Sequence, residues 1–249
     1  MTSQSKIELK HFSYSSLSCY LYCPRMWYYR YVIKPAVAVR ARMLLGRCYH
    51  EIVAQATLQH QLFNEKLDAR QITRLFSQRW DQEVAADVDF EDEDPREMKK
   101  AGITLAIKFI TETLPTLDIA FVEKRLEANV GGIPFIGYID FGLQNGDIGD
   151  HKLRTDRMSQ DKADRDLQPT SYALLLDEPI NFHFYQALDQ EQKIEPITTK
   201  RSMEEVDMLK SIIRDCWNAI HAGHFFQNPT SWLCGPRCSY YLDCLHPNF

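Results

Sequence analysis

Residues 119–154 leave few folds open. IAFVEKRLEANV and IPFIGYIDFGLQ alternate apolar and polar residues on either side of Gly131-Gly132, and Asn145-Gly146 then introduces the shorter DIGDHKLR. Alternation with a period of two marks half-buried strands, and paired turn residues between them mark hairpins, so this stretch predicts a three-strand meander. Two of its residues resist that pattern. Asp140 and Asp150 stand where a buried strand expects apolar side chains, and Lys152 follows on the face of Asp150.

Two carboxylates brought close on adjacent strands repel, and burying them without compensation is costly. A divalent cation removes that cost, and carboxylate oxygens suit Mg²⁺ or Mn²⁺. Lys152 would then place a positive charge near an attacking water or a developing oxyanion. The alternative is a solvated surface hairpin in which Lys152 is an ion-pair partner.

The flanking sequence predicts what covers the meander. FSYSSLSCYLYCPRMWYYRYV places aromatics near helical spacing, with Ser15 as an N-cap and Pro24 as a break between helices or the first turn of the second. From Ala41 to about Leu114 the pattern is helical, with Leu45, Tyr49, Ile52, Val53 and Ala56 on one face and a loop at the acidic run from Asp87 to Pro95. DKADRDLQPTSYALLL predicts a crossover helix, INFHFYQALD and QKIEPITT two further strands, and the capping box Ser202/Glu205 a last helix that Gly223 ends. The expected fold is α/β: a mixed central sheet flanked by helices. One domain is expected over 1–249, with a helical insertion at 41–117, an α/β core at 118–222 and a terminal region formed by 13–30 with 223–249.

The net charge of -5 argues against nonspecific coating of nucleic acid, yet the cations are clustered. Arg25, Arg30, Lys34, Arg40, Arg42 and Arg47 form one basic run, and Lys152, Arg154, Arg157, Lys162 and Arg165 a second beside the two acids. No apolar run reaches membrane-spanning length and no secretory leader pattern follows Met1, so a cytoplasmic protein with no membrane partner is expected. Seven cysteines, three of them in CGPRCSYYLDC, point to metal before disulfide in such a compartment.

Asp140 within GYID, Asp150-His151-Lys152, and QPTSY from Gln168 to Tyr172 together resemble the PD-(D/E)xK nuclease superfamily, in the branch of RecB- and AddB-type nucleases and the CRISPR-adaptation exonuclease. The resemblance runs from about Ser13 to Cys244. It implies a restriction-endonuclease-like core and a catalytic set of Asp140, Asp150, Lys152, Gln168 and Tyr172. Gln168 and Tyr172, one helical turn apart, would contact DNA or orient Lys152. It also implies metal ligation by His50 from GRCYH, Asp140, Asp150 and the backbone carbonyl of His151, with Glu123 at a second ion or a water.

For the cysteines, the resemblance implies a 4Fe-4S cluster held by Cys23, Cys234, Cys238 and Cys244, stapling the two ends of the chain. The C-x₃-C-x₅-C spacing here departs from the C-x₂-C-x₅-C usual in that branch, which leaves zinc open, with Cys19 or His246 as replacement ligands; Cys48 and Cys216 read as buried free thiols. The implied activity is Mg²⁺- or Mn²⁺-dependent hydrolysis of DNA, as an exonuclease on single-stranded or frayed ends in recombination, repair or CRISPR and phage DNA processing. A helicase or integrase-type protein is the implied partner. An RNA-processing nuclease and a noncatalytic iron-sulfur assembly module are the alternatives. Tyr28, Tyr29 and Tyr31 are further candidates to track a DNA strand, although core packing is the commoner fate of such aromatics.

Overall fold

The computed structural model describes residues 9–85 and 87–246. Two short helices, α1 (Tyr14–Tyr22) and α2 (Pro24–Tyr28), open it, and α2 runs into a π turn over Tyr29–Ile33. Pro24 occupies the first position of α2, where its missing N–H costs nothing. The cap of α1 is Ser13 rather than Ser15: Ser13 is extended, and its hydroxyl accepts the Ser16 amide three residues on.

A helical layer follows, consisting of α3 (Ala41–Phe63), α4 (Ala69–Val84) and α5 (Pro95–Lys108). Within it lies a feature the sequence did not announce, a small parallel pairing of β1 (Val39–Arg40) with β2 (Val88–Asp89). The acidic run is therefore not all loop. Its first residues form β2, and its last, Asp94, caps α5 ahead of Pro95.

The central sheet contains β3 (Ile119–Val130), β4 (Ile133–Leu143), β5 (Ile148–Arg154), β6 (Ile180–Leu188) and β7 (Lys193–Arg201), in that spatial order. All neighbours are antiparallel except β5 and β6, which run parallel. A parallel pair requires a crossover, and here it is made by two helices rather than one. These are α6 (Gln160–Arg165) and α7 (Leu167–Leu176), separated where Asp166 turns extended and caps the second. The chain closes with α8 (Met203–His221), opened by the Ser202/Glu205 capping box, and the short α9 (Tyr241–Leu245).

The sheet divides two apolar cores. Phe135, Ile139, Phe182 and Phe184 meet α1, α7 and α8 through Leu17, Ala173 and Leu209. Phe141 and Tyr185 meet the helical layer through Leu45, Phe76 and Leu105. Phe184 and Tyr185 thus enter opposite cores, as expected for a strand covered on both faces. In β4 the alternation breaks: Ile139 and Phe141 also enter opposite cores although two residues apart, and Asp140 sits at the break.

The aromatics proposed for strand tracking are packed instead. Tyr29 is buried, stacks on Tyr240 and donates its hydroxyl to the Asp243 carbonyl; Tyr28 stacks on Phe225, and Tyr31 lies against Trp27. They fasten the C-terminal segment to the start of the chain. Among the described residues no helix is long and apolar enough to cross a membrane.

Candidate metal centre

The site lies where β4 and β5 part. Their ladder consists of Phe141 with Gly149 and Gly142 with Ile148. Continued by one residue, that register sets Asp140 opposite Asp150. There the backbone ladder gives way to a side chain, for the His151 amide donates to Asp140 Oδ2 at 2.9 Å. The close approach depends on Gly149, where a Cβ would lie 2.0 Å from the Phe141 ring.

Helices from both layers reach into this opening. From α3, His50 Nε2 lies 2.8 Å from Asp140 Oδ2, while its Nδ1 lies 3.8 Å from Glu123 Oε1 on β3. His50, Glu123 and Asp140 are the group among the described residues whose ligand atoms all lie within 4.8 Å of one another. Glu123 holds a left-handed backbone, φ 49°, inside a strand, a conformation that costs a residue with a Cβ about 1–2 kcal/mol. The strain sits beside the break in β4.

Asp150 stands outside that group, with partners of its own. It is 2% exposed; Lys152 Nζ lies 2.8 Å from its Oδ2, and Gln168 Nε2, from α7, donates to its Oδ1 at 2.6 Å. Gln168 Nε2 also reaches the Tyr172 hydroxyl at 3.0 Å, and that hydroxyl donates to the Tyr138 carbonyl at 2.8 Å. The turn of helix between Gln168 and Tyr172 is thus closed by one hydrogen-bonded chain. It leads from β4, through α7, to Asp150.

The electrostatics follow from this crowding. Burial alone would depress His50, but the hydrogen bond to Asp140 and its charge prevail and push the imidazole up to about 9. Burial alone would raise Asp140, yet His50 holds it below the usual carboxylate range. Burial and the neighbouring Asp140 push Asp150 up to about 7 against the pull of Lys152. Burial opposes the charge on Lys152, and Asp150 and Asp140 outweigh it, keeping the ammonium protonated. His151 is the exception. Its ring lies among Phe109, 4.6 Å away, and Phe141, 4.9 Å away, and burial lowers it to about 3, so it is neutral.

One imidazole and two carboxylates within reach of a single point form a hard oxygen and nitrogen donor set, which fits Mg²⁺ or Mn²⁺ better than a thiophilic metal. His50, Glu123, Asp140, Asp150, His151, Lys152, Gln168 and Tyr172 therefore meet in one region. Two neighbours carried no role in the sequence reading. Asp166 caps α7 two residues before Gln168, a position that Asp followed two residues later by Gln and Pro does signal; Tyr14, which touches Asp166, gave no local signal at all.

Cys23, Cys234, Cys238 and Cys244 lie elsewhere. They line a single cavity of about 220 Å³ between α2 and the C-terminal turns. No three of them bring their sulfurs within 4.8 Å of one another. Cys19, Cys48 and Cys216 are buried.

Comparison with known proteins places this geometry in context. No curated protein matches the chain. A crystal structure from Eubacterium rectale, of a protein provisionally named an exonuclease, superposes with a TM-score of 0.61 at 10% identity, covering 100% of this chain and 99% of its own. A second solved structure, SSO0001, aligns over 90% of this chain and 95% of its own at 11% identity, with a TM-score of 0.33. The family model of the PD-(D/E)XK nuclease superfamily matches residues 11–244. With its mixed sheet, its parted strands and their paired acids, the chain belongs to the PD-(D/E)XK nuclease superfamily.

Proposed function

We propose that the chain is a Mg²⁺- or Mn²⁺-dependent deoxyribonuclease of the RecB/AddB type that degrades single-stranded or frayed DNA from an end. The observation that carries the reading is the meeting of His50, Glu123 and Asp140 beside the Asp150–Lys152 pair. A divalent ion held there supplies Lewis acidity at a phosphoryl oxygen and a more acidic bound water. His50, Asp140 and Asp150 are the proposed ligands, with Glu123 and the His151 carbonyl beside them.

The chain's own residues do the rest. Asp150 holds the Lys152 ammonium in place, and Lys152 offers a fixed positive charge where negative charge grows during phosphodiester cleavage. Gln168 fixes Asp150 from the opposite side, which favours an orienting role for Gln168 over direct contact with DNA. Tyr172 closes that arrangement onto β4. The preference for DNA and for ends rests on the motif resemblance.

The four cysteines are the proposed ligands of a 4Fe-4S cluster. Support comes from their lining one cavity and from the motif resemblance.

The test uses end-labelled linear single- and double-stranded DNA, a covalently closed circle and an RNA of the same sequence, each with Mg²⁺, Mn²⁺ or chelator. Metal-dependent release from linear DNA, with the closed circle spared, is the expected result. Cleavage of the circle at equal rate overturns the end preference, and preference for RNA overturns the substrate. No cleavage with any metal leaves the assembly-module reading in its place.

A further inference from the structure

The first turn of α7 carries Gln168 to Asp150, and the position of that turn is fixed from outside the site. Asp166 Oδ1 accepts the Gln168 amide at 2.9 Å, which caps the helix. The same oxygen accepts the Tyr14 hydroxyl of α1 at 2.8 Å, across 152 positions of sequence. The Asp166 backbone carbonyl accepts Arg201 Nη2 at 2.9 Å, and that nitrogen also donates to the Ala163 carbonyl at 2.9 Å.

The rest of the Arg201 guanidinium is spent nearby. Nε donates to Thr170 Oγ1 on α7 at 2.9 Å, and Nη1 donates to Thr199 Oγ1 and the Lys200 carbonyl, both at 2.6 Å. Arg201 is 3% exposed, and its ion-pair partner, Glu205, stands 3.7 Å away. Desolvating a guanidinium is expensive, and an apolar residue would fill the same space at lower cost. What the arginine adds is direction: its planar fork ties the end of β7 to the α6–α7 junction and to α7 itself.

We infer that Tyr14 and Arg201 are positioning residues of the nuclease site, holding Asp166 from two sides so that Gln168 meets Asp150. The path runs Tyr14, Asp166, Gln168, Asp150, Lys152, each link a hydrogen bond or ion pair of 2.6 to 2.9 Å. Burial and the Asp166 carboxylate raise the Tyr14 phenol above its usual value, so its hydroxyl stays a donor. The inference rests on the proposed role of Asp150 in cleavage.

Tyr14→Phe removes one hydroxyl and leaves the ring. Single-turnover cleavage of end-labelled DNA with Mn²⁺ should slow by about tenfold, with KM for DNA unchanged, as loss of one hydrogen bond to a charged acceptor implies. In a Gln168→Ala background the same change should cost nothing more, because the path is already cut. Backbone amide exchange at Gln168 and Thr170 should quicken. Arg201→Lys keeps the charge, loses the fork and should act in the same direction; if it fails to fold, Tyr14→Phe decides alone. An unchanged rate, additive losses in the double variant, or unaltered exchange at Gln168 and Thr170 each overturn the inference. Should the wild-type protein cleave nothing, the proposed function falls, while the exchange measurement still decides whether Tyr14 holds α7.

Discussion

The carboxylate site and the cysteine cavity are held together by opposite means. Around the first, every side chain stands on a helix or a strand: β4 and β5 part between two covered faces, α3 brings His50, α7 brings Gln168, and Asp150 is 2% exposed. Around the second, the chain beyond α8 runs mostly in turns, α9 buries no residue, and Cys234 is exposed. It is attached to the start of the chain by side-chain contacts such as Tyr29 to the Asp243 carbonyl and Asn228 to the Tyr22 carbonyl. On the proposed reading, the fold assembles the first site before its ion binds, whereas the second lies in a segment of turns that a metal would complete.

The sharpest test of that contrast is Asp150→Ala. Cleavage should fall by roughly 10³-fold, the scale of losing a fixed electrostatic contact at the reacting centre. The melting temperature should stay within a few degrees, because the deletion also relieves repulsion from Asp140. Near-normal cleavage by both Asp150→Ala and Lys152→Ala would remove this hairpin from the active site altogether.

The cysteine region should respond the other way, in structure before chemistry. Protein purified without oxygen should absorb broadly near about 400 nm, and Cys23→Ser or Cys238→Ser should bleach it and open residues 226–246 to protease. Cys48→Ser and Cys216→Ser should do neither. A colourless protein with stoichiometric zinc keeps the staple and discards the cluster; absence of any metal on these thiols discards both.

A smaller effect is expected at His50. His50→Ala should weaken the apparent Mn²⁺ affinity for cleavage by about 10- to 100-fold, readable as a rightward shift in a metal titration with unchanged melting. An unaltered titration would return His50 to the many surface histidines of amphipathic helices. Smallest of all is Glu123→Gly, which releases the φ 49° strain and should raise the unfolding free energy of the metal-free protein, read from a denaturant titration, by about 1 kcal/mol while Mn²⁺ affinity drops. Stability gained with no loss of affinity would show that the strain has nothing to do with the metal.

Much of the frame was legible because it is local. The turns at Gly131-Gly132 and Asn145-Gly146 adopt the positive φ that glycine permits, and the Ser202/Glu205 box forms as its spacing demands. Asp140, Asp150 and Lys152 stood out as charges inside strands. His50 did not: His60 lies on the same helix, and local pattern gives no reason to prefer one, so only the resemblance singled it out. Tyr28, Tyr29 and Tyr31 stayed ambiguous because an aromatic beside arginines looks alike whether it waits for a base or packs on Phe225, Trp27 and Tyr240.

Sequence alone determined what depends on residues within a turn of one another: the hairpins, the Ser202 cap of α8 and the presence of two acids that need a counter-charge. The tertiary structure decided which distant groups meet. That β4 breaks its alternation at Asp140, that Tyr14 reaches Asp166 across 152 positions, and that a lone arginine at the end of β7 fixes α7 are outcomes of packing two helical layers against one sheet. Caps and turns are fixed by steric and hydrogen-bonding rules over a few residues, whereas contacts of that reach are chosen only when the whole core closes and each buried polar group must find its partner.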